Sequence, residues 1–345
     1  MVRRTDRGVW KHMGLRPTHW AAWGMGTLLA FLAFAACAAD DLAPLRAQFR
    51  LPDDKVDYAT VKLTVDRLID PSTNTAAVRR QLDQWERATR GNVPANPTAR
   101  QVLDALLKTL YVPGPWNQNR PFTYDLDDPF GRDARNKQLA TYLATRKGNC
   151  VSMPTLFLVL GQRLGLTVAL ATAPNHLLVK FADDEQQMWL NVEATAGGFK
   201  YDSSYQRETD ITEAALDNGL YLRPLLPHEG VGAIAGTLME HYGAKKDADA
   251  LMAVADLALE ANPKDPVAMI WKANAYYIQT EQRIRSKYPN VADAPPELQD
   301  EYRRLSRENL AWFTKAESLG WTQKTPEQEA SYLQHIQREK AQREQ

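Results

Sequence analysis

Three side chains have the types that nucleophilic acyl transfer needs: Cys150 in RKGNCVS, His176 in NHLLVKF and Glu193 in MWLNVEA. A thiolate attacks a carbonyl, an imidazole carries its proton, and a carboxylate fixes the imidazole tautomer and raises its basicity. Cys150 is one of only two cysteines in 345 residues, the other being Cys37 near the start. An unpaired thiol in an exported protein calls for a reason, because structural cysteines in oxidising compartments come in pairs. The plain alternative is that Cys150 is a small buried hydrophobe.

Export is itself an expectation from the first 38 residues. Arg3, Arg4, Arg7, Lys11 and Arg16 precede the apolar run AAWGMGTLLAFLAFAA, and small residues follow in ACAADD. That order matches a signal peptide, and the run is short of the ~20 residues a spanning helix needs. The basic stretch is long for a leader, which makes Met13 a candidate start. The protein is therefore expected in the periplasm or secreted, and FAAC makes Cys37 a candidate lipidation site and membrane tether, being similar to the lipobox of bacterial lipoproteins.

Around the three side chains the pattern is α+β. DYATVKLTVDRLID, TAAVRRQLDQWERATR and TARQVLDALLKTLY place apolar residues at helical spacing, broken at Asp70-Pro71 and Asn96-Pro97. Residues 111–136, rich in Pro, Gly, Asn and Asp, read as a long ordered loop, a feature often functional. KQLATYLATRK reads as a short helix ending at Gly148. NCVSMPTLFLVLGQRLGL then reads as a helix capped by Gly148 or Asn149, with Pro154 in its first turn, which places Cys150 at a helix N-terminus. The partial positive charge and free N–H groups there favour a thiolate and later an oxyanion.

NHLLVKF and MWLNVEA read as strands of a hairpin around the polar turn ADDEQQ. Symmetry about Asp184 and Glu185 pairs Val179 with Leu190 and sets His176 directly across from Glu193, at roughly 4.5–5.5 Å between Cβ atoms. One face is then wholly apolar, and a slip by one residue would destroy it. A solvent-facing cross-strand pair is the alternative reading of His176 and Glu193.

The stretches RKGNCVSMPTLFLVLGQRLGL, APNHLLVKF and WLNVEAT together resemble the transglutaminase-like superfamily, a papain-like cysteine-enzyme core, and in particular its bacterial SirB-type branch. The resemblance covers most of residues 48–205 and implies Cys150 as nucleophile, His176 as base and Glu193 as orienter, with Trp189, Val192 and Thr195 matching the W-x-x-V-D-x-T setting. Glu193 replaces the usual Asp, so Asn191 on the same face is an alternative orienter. Trp116, Asn117 and Gln118 in the upstream loop are candidate oxyanion donors. The substrate expected is a peptide or protein, hydrolysed or joined to an amine. The rival expectation is a catalytically inactive interaction module.

Beyond Leu225, VGAIAGTLMEHYGAKKDADALMAVADLALEANPKDPVAMIWKANAYYIQT resembles tetratricopeptide repeats, with Tyr242, Ala258 and Pro263 at expected positions and Tyr276 34 residues after Tyr242. These helices would offer a face to a protein partner. The division expected is a leader over 1–38, a transglutaminase-like domain over 39–225, a helical module over 226–325 and a charged tail over 326–345. Lys+Arg and Asp+Glu both number 42, with no basic stripe, which argues against nucleic acid. His228, His241 and His335 are scattered, DLDDP at 125–129 reads as turn chemistry with calcium coordination as the alternative, and no phosphate loop occurs. No metal and no cofactor are expected.

Overall fold

The computed structural model describes residues 41–183, 188–328, 330 and 334; the expected leader, Met13 and Cys37 lie outside them, as does most of the expected tail. The first strongly patterned helix, α2 (Tyr58–Ile69), follows a short α1 (Ala43–Phe49) that the periodicity does not announce. Asp57 caps α2 by accepting from the Ala59 and Thr60 N–H groups. Within α2 the ion pair Lys62–Asp66, 2.7 Å apart, is buried, and Asp66 also accepts the Leu139 N–H at 2.9 Å. Such a pair costs desolvation and is retained only where further bonds satisfy it; here that bond fixes where α5 begins. Helix α3 (Thr75–Arg90) starts from Asn74, and α4 (Ala99–Tyr111) from a capping box between Thr98 and Gln101.

The long loop after α4 carries β1 (Thr123–Tyr124) and leads to α5 (Leu139–Thr145) and β2 (Lys147–Gly148). Strands β1 and β2 pair in parallel, Thr123 with Lys147 and Tyr124 with Gly148, so the loop is bound to the segment that enters the cysteine turn. Helix α6 (Ser152–Arg163) is buried at every residue from Ser152 to Gly161 and is the centre of the core. A helix apolar all round belongs there.

The sheet runs β3-β4-β5-β6, antiparallel throughout: β3 (Val168–Ala173), β4 (His176–Asp183), β5 (Met188–Glu193) and β6 (Gly198–Phe199). The observed register corrects the expected one. Val179 pairs with Val192, Lys180 with Asn191 and Phe181 with Leu190, and pairing runs out to Asp183 opposite Met188. The register is thus displaced by two residues. A shift of two leaves every side chain on its expected face, which is why alternation could not distinguish the two pairings. His176 and Glu193 are consequently diagonal neighbours rather than directly opposed.

One sheet face, through Val179, Phe181 and Val192, joins the core around α6. The other is also covered. Helices α7 (Asp202–Thr209) and α8 (Glu213–Asp217) close over Ala171, Ala173 and Leu178, with Tyr205 and Leu220 completing a second small cluster. After α8 the chain runs along the outer edge of β3, where Leu222 and Leu225 N–H groups donate to Thr172 and Leu170 carbonyls. The chain continues into the helices α9 (Pro227–Lys245), α10 (Ala248–Ala261), α11 (Pro266–Thr280) and α12 (Pro296–Ser318), each packed on the next. The hydrophobic core is continuous across Leu225: Val231, Ile234 and Leu238 of α9 belong to the same cluster as Leu45 and Tyr58. Among the described residues, α9 therefore packs into the core of the part that precedes it.

Candidate active site

The cysteine turn is built by Gly148 and Asn149. A Cβ on Gly148 would lie 2.4 Å from the Tyr142 ring and 2.7 Å from Met153, so only glycine fits. Asn149 is the effective helix cap: its Oδ1 accepts from the Val151 and Ser152 N–H groups at 3.0 and 3.1 Å, while its own N–H donates to Ser152 Oγ. Its Nδ2 reaches back to Asn136 O in the upstream loop. Cys150 thus stands just before α6, half-buried, with its N–H without an acceptor among the described residues. That leaves a donor beside the thiol.

His176 opens β4 directly after the two-residue turn Pro174-Asn175, closed by the pair Ala173–His176. Asn175 adopts φ 57°, a conformation Asn tolerates, and its carbonyl accepts from Cys150 Sγ at 3.7 Å. The hairpin turn thereby lies against the thiol. On the ring's far side, Nε2 bonds Glu193 Oε2 at 2.8 Å. With Nε2 taken by the carboxylate, Nδ1 is the ring nitrogen left for Cys150.

Glu193 is buried at 5 % exposure, which excludes the solvent-facing reading. Four bonds support its charge. Oε1 accepts from Thr195 N–H at 3.1 Å and Thr195 Oγ1 at 2.5 Å; Oε2 accepts from His176 and, at 2.7 Å, from the Tyr205 hydroxyl. Burial works against a charge on either partner. For His176 the Glu193 carboxylate and the bond to Cys150 outweigh it and favour the protonated ring well above its usual range. For Glu193, the His176 charge and the Thr195 and Tyr205 donors outweigh burial and hold the carboxyl below its usual range. Burial, and then the neighbouring Glu193 charge, push the Tyr205 and Tyr111 hydroxyls upward, so both phenols stay protonated.

The structure brings Cys150, His176 and Glu193 together and sends the other candidates elsewhere. Asn191 donates to Lys200 O at 2.9 Å and Asp202 Oδ1 at 2.6 Å; it ties β5 to α7 and does not orient His176. Two of the oxyanion candidates have their side-chain donors engaged within the loop. Trp116 Nε1–H is committed to the Lys108 and Val112 carbonyls, and Asn117 Nδ2 to those of Thr109 and Val112. Gln118 presents its oxygen to Arg146. A loop this rich in polar groups must satisfy its own backbone first. The acidic run reads as turns, since Asp125 accepts from Asp127 N–H and Asp128 from the Arg132 and Asp133 N–H groups. Among the described residues no three His, Cys, Asp or Glu side chains are grouped to hold a metal.

Tyr205 went unread in the sequence. Nothing in DSSYQRET marks it; its role follows from α7 folding back over β5.

Residues 76–210 match the family model of the transglutaminase-like superfamily, a span that contains every residue of this site. No curated protein and no solved structure is matched by the chain.

Proposed function

We propose that the transglutaminase-like domain at residues 76–210 is a cysteine acyl-transfer enzyme acting on peptide or protein amides. The observation that carries this reading is the His176 ring, bonded to the Glu193 carboxylate at Nε2, with Cys150 Sγ against the carbonyl of the preceding residue, Asn175. Superfamily membership of the segment supports acyl transfer or hydrolysis as the reaction class, and peptide or protein substrates as the class acted on.

In this mechanism His176 holds the Cys150 proton on Nδ1, and the sulfur forms the S–C bond at the substrate carbonyl as the carbonyl π electrons move to the oxygen. The Cys150 N–H is the donor available to the oxyanion. Collapse breaks the C–N bond, His176 returns the proton to the departing amine, and a thioester remains. Water then attacks with His176 as base and releases the acid and the thiol; an amine in place of water gives a new amide. Glu193 keeps the Nδ1 side of the ring free to take the proton and stabilises the imidazolium. Hydrolysis needs the least additional machinery.

The leader and Cys37 support an exported, lipid-tethered setting for this chemistry. Helices α9–α12, read as tetratricopeptide-like from the spacing of Tyr242 and Tyr276, supply the partner face. Incubation with a peptide library, then intact-mass analysis after acid quench, tests the reading. An acyl adduct on wild-type chain that is absent from Cys150→Ser is expected; peptide binding without an adduct would favour the inactive interaction module. A fluorescent primary amine added to the same reaction separates transfer from hydrolysis.

A further inference from the structure

Glu193 carries one more methylene than the aspartate of the pattern it resembles, so its carboxylate has one more bond about which to swing. A longer arm holds a histidine in register only if something else removes that freedom. Thr195 fastens Oε1 from the same strand end. Oε2 is shared between His176 and Tyr205, whose hydroxyl arrives from a different element at 2.7 Å.

Tyr205 is equipped to act as a fixed post. It is 1 % exposed, and its ring stands 5.8 Å from the His176 ring. Its helix is moored to both strands that carry the pair: Asp202 takes Lys180 Nζ of β4 at 3.0 Å and Asn191 Nδ2 of β5 at 2.6 Å. Lys180 and Asn191 are directly paired neighbours, so α7 cannot move without disturbing that rung. The groups bonded to Glu193 are His176 from β4, Tyr205 from α7 and Thr195, and the Tyr111 phenol of α4 feels its charge without a bond to it.

We propose that Tyr205 is the positioning residue of this site, its hydroxyl locking the longer Glu193 carboxylate onto His176 Nε2. It touches neither thiol nor substrate and acts only through Glu193. The kinetic arm of its test rests on the cysteine-enzyme reading; the spectroscopic arm does not.

The test compares full-length wild type, Tyr205→Phe and a chain carrying difluorotyrosine at 205, which keeps the donor but changes its strength. Tyr111→Phe is the control, because that hydroxyl also lies near Glu193 yet has no hydrogen-bond partner among the described residues. The first readout is the low-field proton resonance of the His176–Glu193 bond, assigned by its loss in His176→Ala. Its exchange with solvent should quicken at least tenfold in Tyr205→Phe, its position should move with difluorotyrosine, and Tyr111→Phe should leave it in place. The second readout is iodoacetamide alkylation of Cys150, expected to slow several-fold in Tyr205→Phe at unchanged far-ultraviolet circular dichroism. An unaltered resonance with both residue-205 variants overturns the proposal. If Tyr205→Phe does not fold, the difluorotyrosine chain decides alone. Ordinary alkylation in wild type with a responsive resonance would sink the enzyme reading and leave the positioning role standing; fast alkylation with an unresponsive resonance would do the reverse.

Discussion

Replacing Glu193 with glutamine changes the charge of one buried group while keeping its size, and the surrounding donors dictate the rest. The Thr195 backbone N–H cannot turn, so the amide oxygen must stay at the Oε1 position. The amide nitrogen then faces His176 and Tyr205, where it can only donate. Tyr205 can rotate its hydroxyl to accept. His176 can respond only by carrying its proton on Nδ1, the nitrogen that must be empty to take the thiol proton. The charge matters as well: at an effective dielectric of 20, unit charges about 4 Å apart interact by about 4 kcal/mol, equivalent to about three pH units in the titration of the ring. With that gone, burial, which opposes a charged ring, is left without its main counterweight. The assay is a nitrogen-edited NMR titration of His176 in wild type and Glu193→Gln. Wild type should hold the imidazolium well above the usual 6.5, and the variant should titrate about three pH units lower. Turnover should fall on the order of 10³–10⁴-fold, the scale set by a wrong histidine tautomer in a comparable triad. His176 titrating at the same pH in both proteins would refute the reasoning.

Stability should follow the same pair. Glu193 is held below its ordinary 4.5, so its contribution is complete above that pH and is lost as pH falls through the lowered value. His176 is raised above 6.5, so its contribution is complete below 6.5 and is lost as pH rises through the raised value. A urea-melting series should therefore show a plateau from about pH 5 to 6.5 with losses on both sides, and a Glu193→Ala, His176→Ala double variant should flatten both. Asn149→Ala removes the two N–H acceptances at the start of α6 and should cost about 1–2 kcal/mol in urea melts, while slowing alkylation of Cys150. Gly131→Ala should destabilise by about 1–3 kcal/mol, because Gly131 has φ 58° and a Cβ there would meet Asn149 Nδ2 at 2.5 Å and Lys137 Cε at 2.7 Å. Thermal melting of Gly131→Ala checks it, and an unchanged midpoint would contradict the tight packing of the upstream loop on the cap.

Local features were legible in the sequence. The three patterned runs over 57–70, 75–90 and 98–111 fold as Tyr58–Ile69, Thr75–Arg90 and Ala99–Tyr111, because each has caps and a stripe of core residues that no neighbour overrides. Cys150 at a helix start was equally readable from Gly148, Asn149 and Pro154. The hairpin was half legible: alternation assigns faces, and so put His176 and Glu193 on one side, but it repeats every two residues and could not choose between adjacent even registers. What needed the tertiary structure was each contact made across elements. Tyr205 reaches Glu193 only because α7 folds over the sheet, and Asn117 looked like an oxyanion donor because its three loop bonds have no signature in the chain. Short α1 and the two-residue strands β1, β2 and β6 hold too few residues for periodicity to show.

The central claim is that His176, backed by Glu193, activates Cys150. Second-order alkylation of Cys150 by iodoacetamide at mildly acid pH, in wild type and His176→Ala, measures that directly. The account predicts fast labelling in wild type, with at least a tenfold loss in the variant at intact fold. Equal rates in the two proteins, both those of an ordinary thiol, would contradict it.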